Sequence, residues 1–171
     1  MIDLPGVLGG VGLQGWRLDQ AIHGANWDSG EGAFRQGGRW NRCGTRAVYA
    51  CLDAATAILE VAVHKTFHAL DTVRHVLTSF EVADPTAVFI VMPSDVPNPN
   101  WLFPGIPSAG QQQFGEHLLA NHLFVLIPSA VSRNSWNLIF DSVQAAGAYT
   151  LRSQEVFALD GRLNPPRPEA R

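Results

Sequence analysis

Short β-type runs separated by long connections are the feature that most constrains the fold of this chain. Apolar, β-branched and aromatic residues, which strands favour, group into runs that predict strands at 13–18, 46–52, 75–82, 87–91, 122–127, 136–140 and 155–159. Longer helical patterns occupy only 53–67 and 111–121. Strands that outnumber helices and do not alternate regularly with them predict an α+β fold.

The predicted connections are long, and two of them stand out by composition. Residues 19–38 are rich in Gly, Asn, Asp and Ser and predict a long loop, while 93–107 is rich in proline. Long loops in compact domains are often functional. At the ends of the chain we predict a flexible, glycine-rich lead-in at 1–12 and a frayed tail at 164–171. The folded domain is therefore expected at 13–163.

Composition excludes several classes of protein. The 171 residues fit one domain, and 46% hydrophobic with 16% charged residues excludes a disordered chain. A net charge of −3 supplies no positive field for direct binding to nucleic acid. No apolar run approaches the roughly eighteen residues that span a membrane. Cys43 and Cys51 without a signal-peptide pattern predict free thiols in a cytoplasmic protein.

The predicted helix at 53–67 carries a polar stripe. Asp53 is expected to cap its N-terminus. At about 100° per residue, one stripe of roughly 120° contains Asp53, Thr56, Glu60, His64 and His68, and most other positions are Ala, Ile, Leu or Val. Such a stripe can face solvent or line a cleft, and periodicity does not separate the two alternatives.

His64 and His68 have a spacing that can hold a metal on one helix face. A zinc protease helix also needs a glutamate directly after its first histidine, and Lys65 occupies that place. A polar helix end explains the pair better, because protonated histidine is favourable near the last carbonyl groups. We therefore expect no bound metal.

The segment GGRWNRCGTR, residues 37–46, combines glycines with Arg39, Arg42 and Arg46. Glycine lets the backbone approach an anion closely, and a guanidinium group matches two phosphate oxygens. An exposed basic loop would have a similar composition. Trp40 argues against that alternative, since a large indole usually packs or stacks on a neighbour.

Ser129 follows an apolar strand in IPSAVSRNSWN, residues 127–137. A nucleophilic serine would need a G-x-S-x-G turn and an orienting histidine, and the sequence around Ser129 has neither. We expect a hydrogen-bonding serine in a turn. Asn137 adds an amide that can orient a ligand.

These motifs together resemble the RES domain, a family named for an arginine, a glutamate and a serine. The resemblance runs from Trp16-Arg17 through GGRWN (37–41) and IPSAV (127–131) to LDGRL (159–163). By position, the family's essential residues fall on Arg39, Tyr49, Glu60 and Ser129, its earlier arginine on Arg17 and its asparagine on Asn137. The Asn-Pro pair that usually follows is replaced here by Phe140-Asp141-Ser142.

The resemblance implies a compact single domain similar to ADP-ribosyltransferases, with short, mostly antiparallel strands and a few helices. It also implies the toxin of a bacterial toxin–antitoxin pair, whose partner is an Xre-like helix-turn-helix antitoxin. Its activity would deplete NAD⁺ by phosphorolysis or hydrolysis. The acceptor, water or inorganic phosphate, is left open, as is a homodimer. An ADP-ribosyltransferase that modifies a macromolecule and a non-catalytic binding module are alternatives.

Ordinary chemistry connects these residues with NAD⁺ as the substrate and no separate cofactor. Cleavage of the nicotinamide–ribose bond passes through an oxocarbenium-like state, which the carboxylate of Glu60 can stabilise. Arg17 and Arg39 would clamp the pyrophosphate. The remaining members of the expected NAD⁺ site are Tyr49 as a face for nicotinamide, Trp40 beside it, and Ser129 and Asn137 to orient the nicotinamide amide or a phosphate.

Overall fold

The computed structural model of the protein describes residues 12–165, which form one seven-stranded sheet with three α-helices. In chain order the elements are β1 (Leu13–Gln20), α1 (Glu31–Gln36), β2 (Ala47–Cys51), α2 (Ala54–Thr72), β3 (His75–Val82), β4 (Val88–Ile90), α3 (Ala109–Asn121), β5 (Phe124–Pro128), β6 (Trp136–Asp141) and β7 (Tyr149–Phe157). Short 3-10 helices lie in the connections, at Ala21–Asn26, Pro85–Ala87, Pro93–Asp95, Pro99–Leu102 and Gly161–Leu163. The α+β prediction is confirmed. The predictions for the lead-in at 1–12 and the tail at 164–171 fall almost wholly outside the described residues.

The sheet has the order β4-β5-β6-β2-β1-β3-β7 and is antiparallel except between β4 and β5. β1 pairs with β3 along its whole length, from Leu13 to Gln20. β1 meets β2 at a single residue pair, Trp16 opposite Cys51. The sheet is therefore nearly divided into two halves between β1 and β2.

The two halves fold over a shared apolar core. The rings of Phe80 in β3 and Phe140 in β6 are 5.7 Å apart, although three strand steps separate them, about 14 Å in a flat sheet. Tyr149 in β7 and Phe124 in β5 are 6.4 Å apart across five strand steps. Only a strongly bent sheet brings these rings together, and Phe80, Phe124 and Phe140 are fully buried as a result.

A helix covers the outer face of each half. α2 packs on β1 and β3 through a small cluster that contains Leu18, Ala62 and Leu70. α3 packs on β5 and β6 through Leu118 and Leu119. In the described part of the chain, no helix combines the length and the apolar content that a membrane crossing requires.

Three predicted elements differ from the structure. The expected loop at 19–38 contains a 3-10 helix and α1, because Gly30 and Gly37 flank α1 in positive-φ conformations instead of preventing a helix. α2 continues to Thr72, five residues past the predicted end at Phe67, and turns at Thr66, whose φ is 68°. β7 begins at Tyr149 and not at Glu155, because this edge strand is exposed and its polar residues hide the strand pattern.

Gly115 allows α3 to lie directly against the backbone of Trp40. A Cβ at this position would lie 2.1 Å from the Trp40 carbonyl oxygen. We expect Gly115→Ala to lower the free energy of unfolding by about 2–3 kcal/mol, since neither backbone can move without displacing the other. Urea denaturation measures this difference. In the control Gly110→Ala, in the same helix, the nearest atom is 3.5 Å away, and equal losses for the two variants would contradict the explanation.

Candidate active site

A cavity of about 1080 Å³ opens where β1 and β2 diverge. Its walls come mainly from β1, the segment before β2 with α1, β2 itself and the middle of α2. Of the residues predicted for the site, those that line this cavity are Arg17, Arg39, Trp40, Tyr49, Glu60 and Asn137. Ser129 reaches the cavity wall indirectly, through its contact with Glu60. The structure therefore brings all seven predicted residues to one place.

Two side chains hold the carboxylate of Glu60. The Ser129 hydroxyl donates a hydrogen bond to Glu60 Oε1 at 2.9 Å, and the Asn137 amide nitrogen donates to the same oxygen at 2.9 Å. Among the described residues, no hydrogen bond reaches Glu60 Oε2. One carboxylate oxygen is thus fixed by the protein, while Glu60 also lines the cavity.

Ser129 is buried in the turn that follows β5. Its Oγ accepts hydrogen bonds from the backbone N–H groups of Val131, at 3.1 Å, and Ser132, at 3.0 Å. Because both acceptor directions are used, the hydroxyl hydrogen is left to point at Glu60. Ser129 is thus only 2% exposed and forms hydrogen bonds within a turn. A hydrogen-bonding serine was expected here because the sequence lacks the motif of a nucleophilic serine.

Cys51 orients the amide of Asn137. Its thiol donates to Asn137 Oδ1 at 3.4 Å, so the amide nitrogen is turned toward Glu60. Burial, followed by the nearby charges of Glu60 and Asp53, raises the pKa of the Cys51 thiol far above its usual value. The thiol therefore stays protonated and available as a donor. Both cysteines are free, as predicted, and Cys43 is exposed.

The polar stripe of α2 contacts the protein at its first residues and borders the cavity further along, at Glu60 and His64. Thr56 is 3% exposed, and Asp53 caps the helix by accepting from the Thr56 N–H at 2.7 Å. Burial by itself would raise the pKa of Asp53, but hydrogen bonds from Ser135 and Thr56 outweigh it and lower the pKa. The first half of the stripe thus packs against the loop between β5 and β6, and its second half is exposed.

His64 and His68 belong to that exposed second half. Thr66 lies between them in a non-helical conformation, so the spacing that suggested a metal pair is not that of a continuous helix. Across residues 12–165, no group of three or more His, Cys, Asp or Glu side chains is placed to hold a metal.

The hydroxyl of Tyr49 fixes the GGRWN segment. It accepts from the Trp40 N–H at 3.0 Å and donates to Asn41 Oδ1 at 2.6 Å. Burial raises the pKa of Tyr49 well above its usual value. Trp40 is 1% exposed and packs edge-on against Phe114. The sequence left open the alternative that residues 37–46 form an exposed basic loop. This alternative is wrong for Trp40, which is part of the core.

Arg17 bridges the divergence of β1 and β2. Its Nη1 donates to the Tyr49 carbonyl oxygen at 2.7 Å, and its other nitrogens bind both carboxylate oxygens of Asp19 at 2.7 and 2.8 Å. The guanidinium replaces backbone hydrogen bonds that the two strands no longer form. Its side chain remains 27% exposed, on the cavity side.

Arg39 ties the proline-rich segment to the cavity rim. Its guanidinium donates to the carbonyl oxygens of Trp101 at 3.3 Å, Phe103 at 3.2 Å and Gly105 at 3.4 Å. Gly105 also lines the cavity. The segment at 93–107 thus borders the candidate site, a placement that its proline content alone did not predict.

Three residues that shape the site were not predicted from the sequence. Asp19 shares a strand face with Arg17, two positions away, so strand periodicity contains a signal for that pair. Cys51 and Ser135 have no comparable local signal, because their partners come from distant segments. Only the folded structure identifies them.

The lowered pKa of Asp53 predicts a pH-dependent stability. A carboxylate with a lower pKa in the folded protein stabilises the fold above its unfolded pKa of about 3.9, and loses that effect as pH falls through the folded pKa. Asp53→Asn keeps a comparable N-cap but removes the charge. We expect it to lower the free energy of unfolding at neutral pH, with a difference from wild type that shrinks below about pH 4. Urea denaturation at several pH values measures this, and a pH-independent difference would contradict it.

Comparison with solved structures agrees with the fold. A chain of the M. tuberculosis MbcT–MbcA toxin–antitoxin complex superimposes with a TM-score of 0.70, covering 86% of this chain and 85% of that chain at 23% identity. At this identity the likeness shows the fold alone. The predicted single domain with short, mostly antiparallel strands and a few helices agrees with this shared fold.

Sequence comparison gives one relative and one family. The "Prs ADP-ribosylating toxin" of Sphingobium sp. (strain YBL2) is 40% identical over 81 residues, which cover 41% of this chain and 50% of that protein. The match thus spans about half the length of the relative. The family model of the RES domain matches residues 14–160, and these include every residue predicted for the site. This chain belongs to the RES domain family.

Proposed function

We propose that this protein is a RES toxin that consumes NAD⁺ by breaking its nicotinamide–ribose bond. The observation that carries the proposal is the geometry of Glu60, which lines the cavity with Oε1 held by Ser129 and Asn137. The cavity of about 1080 Å³ lies at the upper end of ligand-pocket volumes, roughly 300–1,000 Å³, as a dinucleotide requires. Family membership supports the same conclusion.

The proposed chemistry needs one negative charge next to the ribose. As the bond between ribose C1′ and the pyridinium nitrogen breaks, its electron pair stays on nicotinamide, which leaves as a neutral molecule without a general acid. The positive charge that develops on the ribose is stabilised by Glu60, or Glu60 holds a ribose hydroxyl. Water or inorganic phosphate then bonds to C1′ through oxygen, and water loses a proton in doing so.

The arginines at the cavity supply the opposite charge for the pyrophosphate. The three hydrogen bonds of Arg39 to carbonyl oxygens measure 3.2–3.4 Å, longer than the usual 2.9–3.0 Å. Phosphate oxygens form shorter, charge-assisted bonds with guanidinium, so they would compete well for Arg39. Arg17 offers the part of its guanidinium that Asp19 and Tyr49 leave exposed.

The proposal predicts release of nicotinamide from NAD⁺ by the purified protein. Incubation with and without inorganic phosphate, followed by chromatography, separates the two acceptors. Free ADP-ribose indicates hydrolysis, whereas a phosphorylated ADP-ribose formed only with phosphate indicates phosphorolysis. Absence of nicotinamide under both conditions would sink the proposal.

Replacing Glu60 by glutamine should reduce the rate of nicotinamide release about 100-fold or more, because the amide cannot stabilise the positive ribose. Its oxygen can still accept from Ser129 and Asn137, so the free energy of unfolding should change little. The matched control is Glu155→Gln, since Glu155 is exposed on β7 and its carboxylate forms no hydrogen bond with the described residues. Equal rates for wild type and Glu60→Gln would remove Glu60 from the mechanism.

Transfer of ADP-ribose to a macromolecule is the second candidate. The name of the Sphingobium relative, an ADP-ribosylating toxin, favours it, and the same bond of NAD⁺ would break at the same carboxylate. NAD⁺ labelled in its adenosine half distinguishes the two functions. Label on protein or nucleic acid supports transfer, and label only on small products supports NAD⁺ degradation.

The replacement of the family's usual Asn-Pro pair by Phe140-Asp141-Ser142 does not favour a non-catalytic module. These residues lie at the end of β6 opposite to Asn137. There Asp141 accepts hydrogen bonds from the next turn, at Val143 and Gln144. Asn137 keeps its bond to Glu60 in spite of the change.

An antitoxin is the proposed protein partner. The solved structure with the same fold comes from a toxin–antitoxin complex, and the resemblance to the RES family extends this to an Xre-like helix-turn-helix protein in the cytoplasm. Co-expression of the protein with such an antitoxin, followed by co-purification, tests the partnership.

A further inference from the structure

The β5–β6 loop, residues 129–135, is a closed unit with a serine at each end. The Ser129 N–H donates to the Ser135 carbonyl oxygen at 3.0 Å, so the two ends lie side by side. Inside the loop the Ser135 N–H donates to the Ser132 carbonyl oxygen at 2.9 Å. With the bonds to Ser129 Oγ already described, these contacts make the loop a rigid body.

This loop holds α2 at two points along one line. At the helix N-terminus, Ser135 Oγ donates to Asp53 Oδ2 at 2.6 Å and accepts from Thr56 Oγ1 at 2.8 Å. About 6 Å further along the axis, four residues after Thr56, Ser129 Oγ donates to Glu60. Two attachments on one face oppose rotation of the helix about its axis more strongly than one attachment does.

We propose that Ser135 is a positioning residue for Glu60, which it places by fixing the rotation of α2. The inference rests on the proposed function of Glu60. Side chains end about 5–6 Å from a helix axis, so a rotation of 20° moves the carboxylate by roughly 2 Å. Misplacement of a reacting group by about 1 Å can cost on the order of 100-fold in rate.

The pattern of polar residues on α2 supports this assignment. The buried or half-buried members of the stripe, Asp53, Thr56 and Glu60, are the ones that meet the loop. Thr56 is buried, and its hydroxyl is bonded to Ser135. An apolar side chain of similar size would fill the position of Thr56 equally well. The hydroxyl therefore contributes to orientation more than to burial.

The first test compares kinetics of NAD⁺ cleavage among variants of the loop contact. Ser135→Ala and Thr56→Val should each lower kcat about tenfold with KM for NAD⁺ within about twofold, because the cavity is intact while the carboxylate is displaced. Thr56→Ser keeps the hydroxyl and should retain kcat close to wild type. If these substitutions acted only by weakening the N-cap of α2, they would lower the Tm and leave kcat of the folded protein unchanged.

Ser132→Ala is the matched control, since this serine lies in the same loop and its hydroxyl forms no hydrogen bond within the described chain. It should keep wild-type kcat. Wild-type kcat in Ser135→Ala, or equal losses in Thr56→Ser and Thr56→Val, would overturn the assignment. The double variant Ser135→Ala/Thr56→Val should lose no more than Ser135→Ala, because Ser135→Ala already removes both bonds of this attachment, to Asp53 and to Thr56.

The second test does not depend on activity. In a crystal structure of Ser135→Ala, the bond between Ser129 Oγ and Glu60 Oε1, 2.9 Å in the wild type, should be lost or α2 should be rotated. An unchanged bond and helix would overturn the role of Ser135, whether or not the protein cleaves NAD⁺. An inactive wild type with a displaced Glu60 in the variant would instead overturn the proposed function and uphold the positioning role.

Discussion

The divergence of β1 and β2 after a single residue pair is the constraint on which the rest of the structure depends. Because backbone hydrogen bonds stop at Trp16 and Cys51, the two half-sheets can fold over a common core and leave a cavity where they part. The guanidinium of Arg17 takes the place of the missing backbone bonds at the Tyr49 carbonyl. A charged group in that position both maintains the fold and presents positive charge to the cavity.

The residues that match the family's essential positions make different contacts in the candidate site. Glu60 faces the cavity, whereas Ser129 is buried and acts on Glu60 through a hydrogen bond. Tyr49 and Arg39 each hold a segment of the rim, the GGRWN segment for Tyr49 and the proline-rich segment for Arg39. The residues predicted for the site therefore include groups that position the Glu60 carboxylate as well as groups that line the cavity.

Local patterns predicted those parts of the fold whose signals are local. The run of strand-favouring residues at 75–82 predicted β3 to the residue, and Asp53 was predicted correctly as the cap of α2. β7 was misplaced because an exposed edge strand lacks an apolar face, and the loop predicted at 19–38 contains α1 because glycines can also end a helix. The resemblance to the RES family predicted Arg39, Glu60 and Ser129 for the site, and the structure places Arg39 and Glu60 at one cavity, with Ser129 bonded to Glu60.

The sequence by itself determined the α+β class, the N-cap of α2 and the set of polar residues that the fold assembles. It left open whether the stripe of α2 faced solvent or a cleft, because periodicity defines a helix face but not what covers it. Tertiary structure decided that question by placing the β5–β6 loop on the stripe, with Ser135 at Asp53 and Ser129 at Glu60. These partners are separated by 82 and 69 residues, a distance over which only packing of the whole chain determines contact.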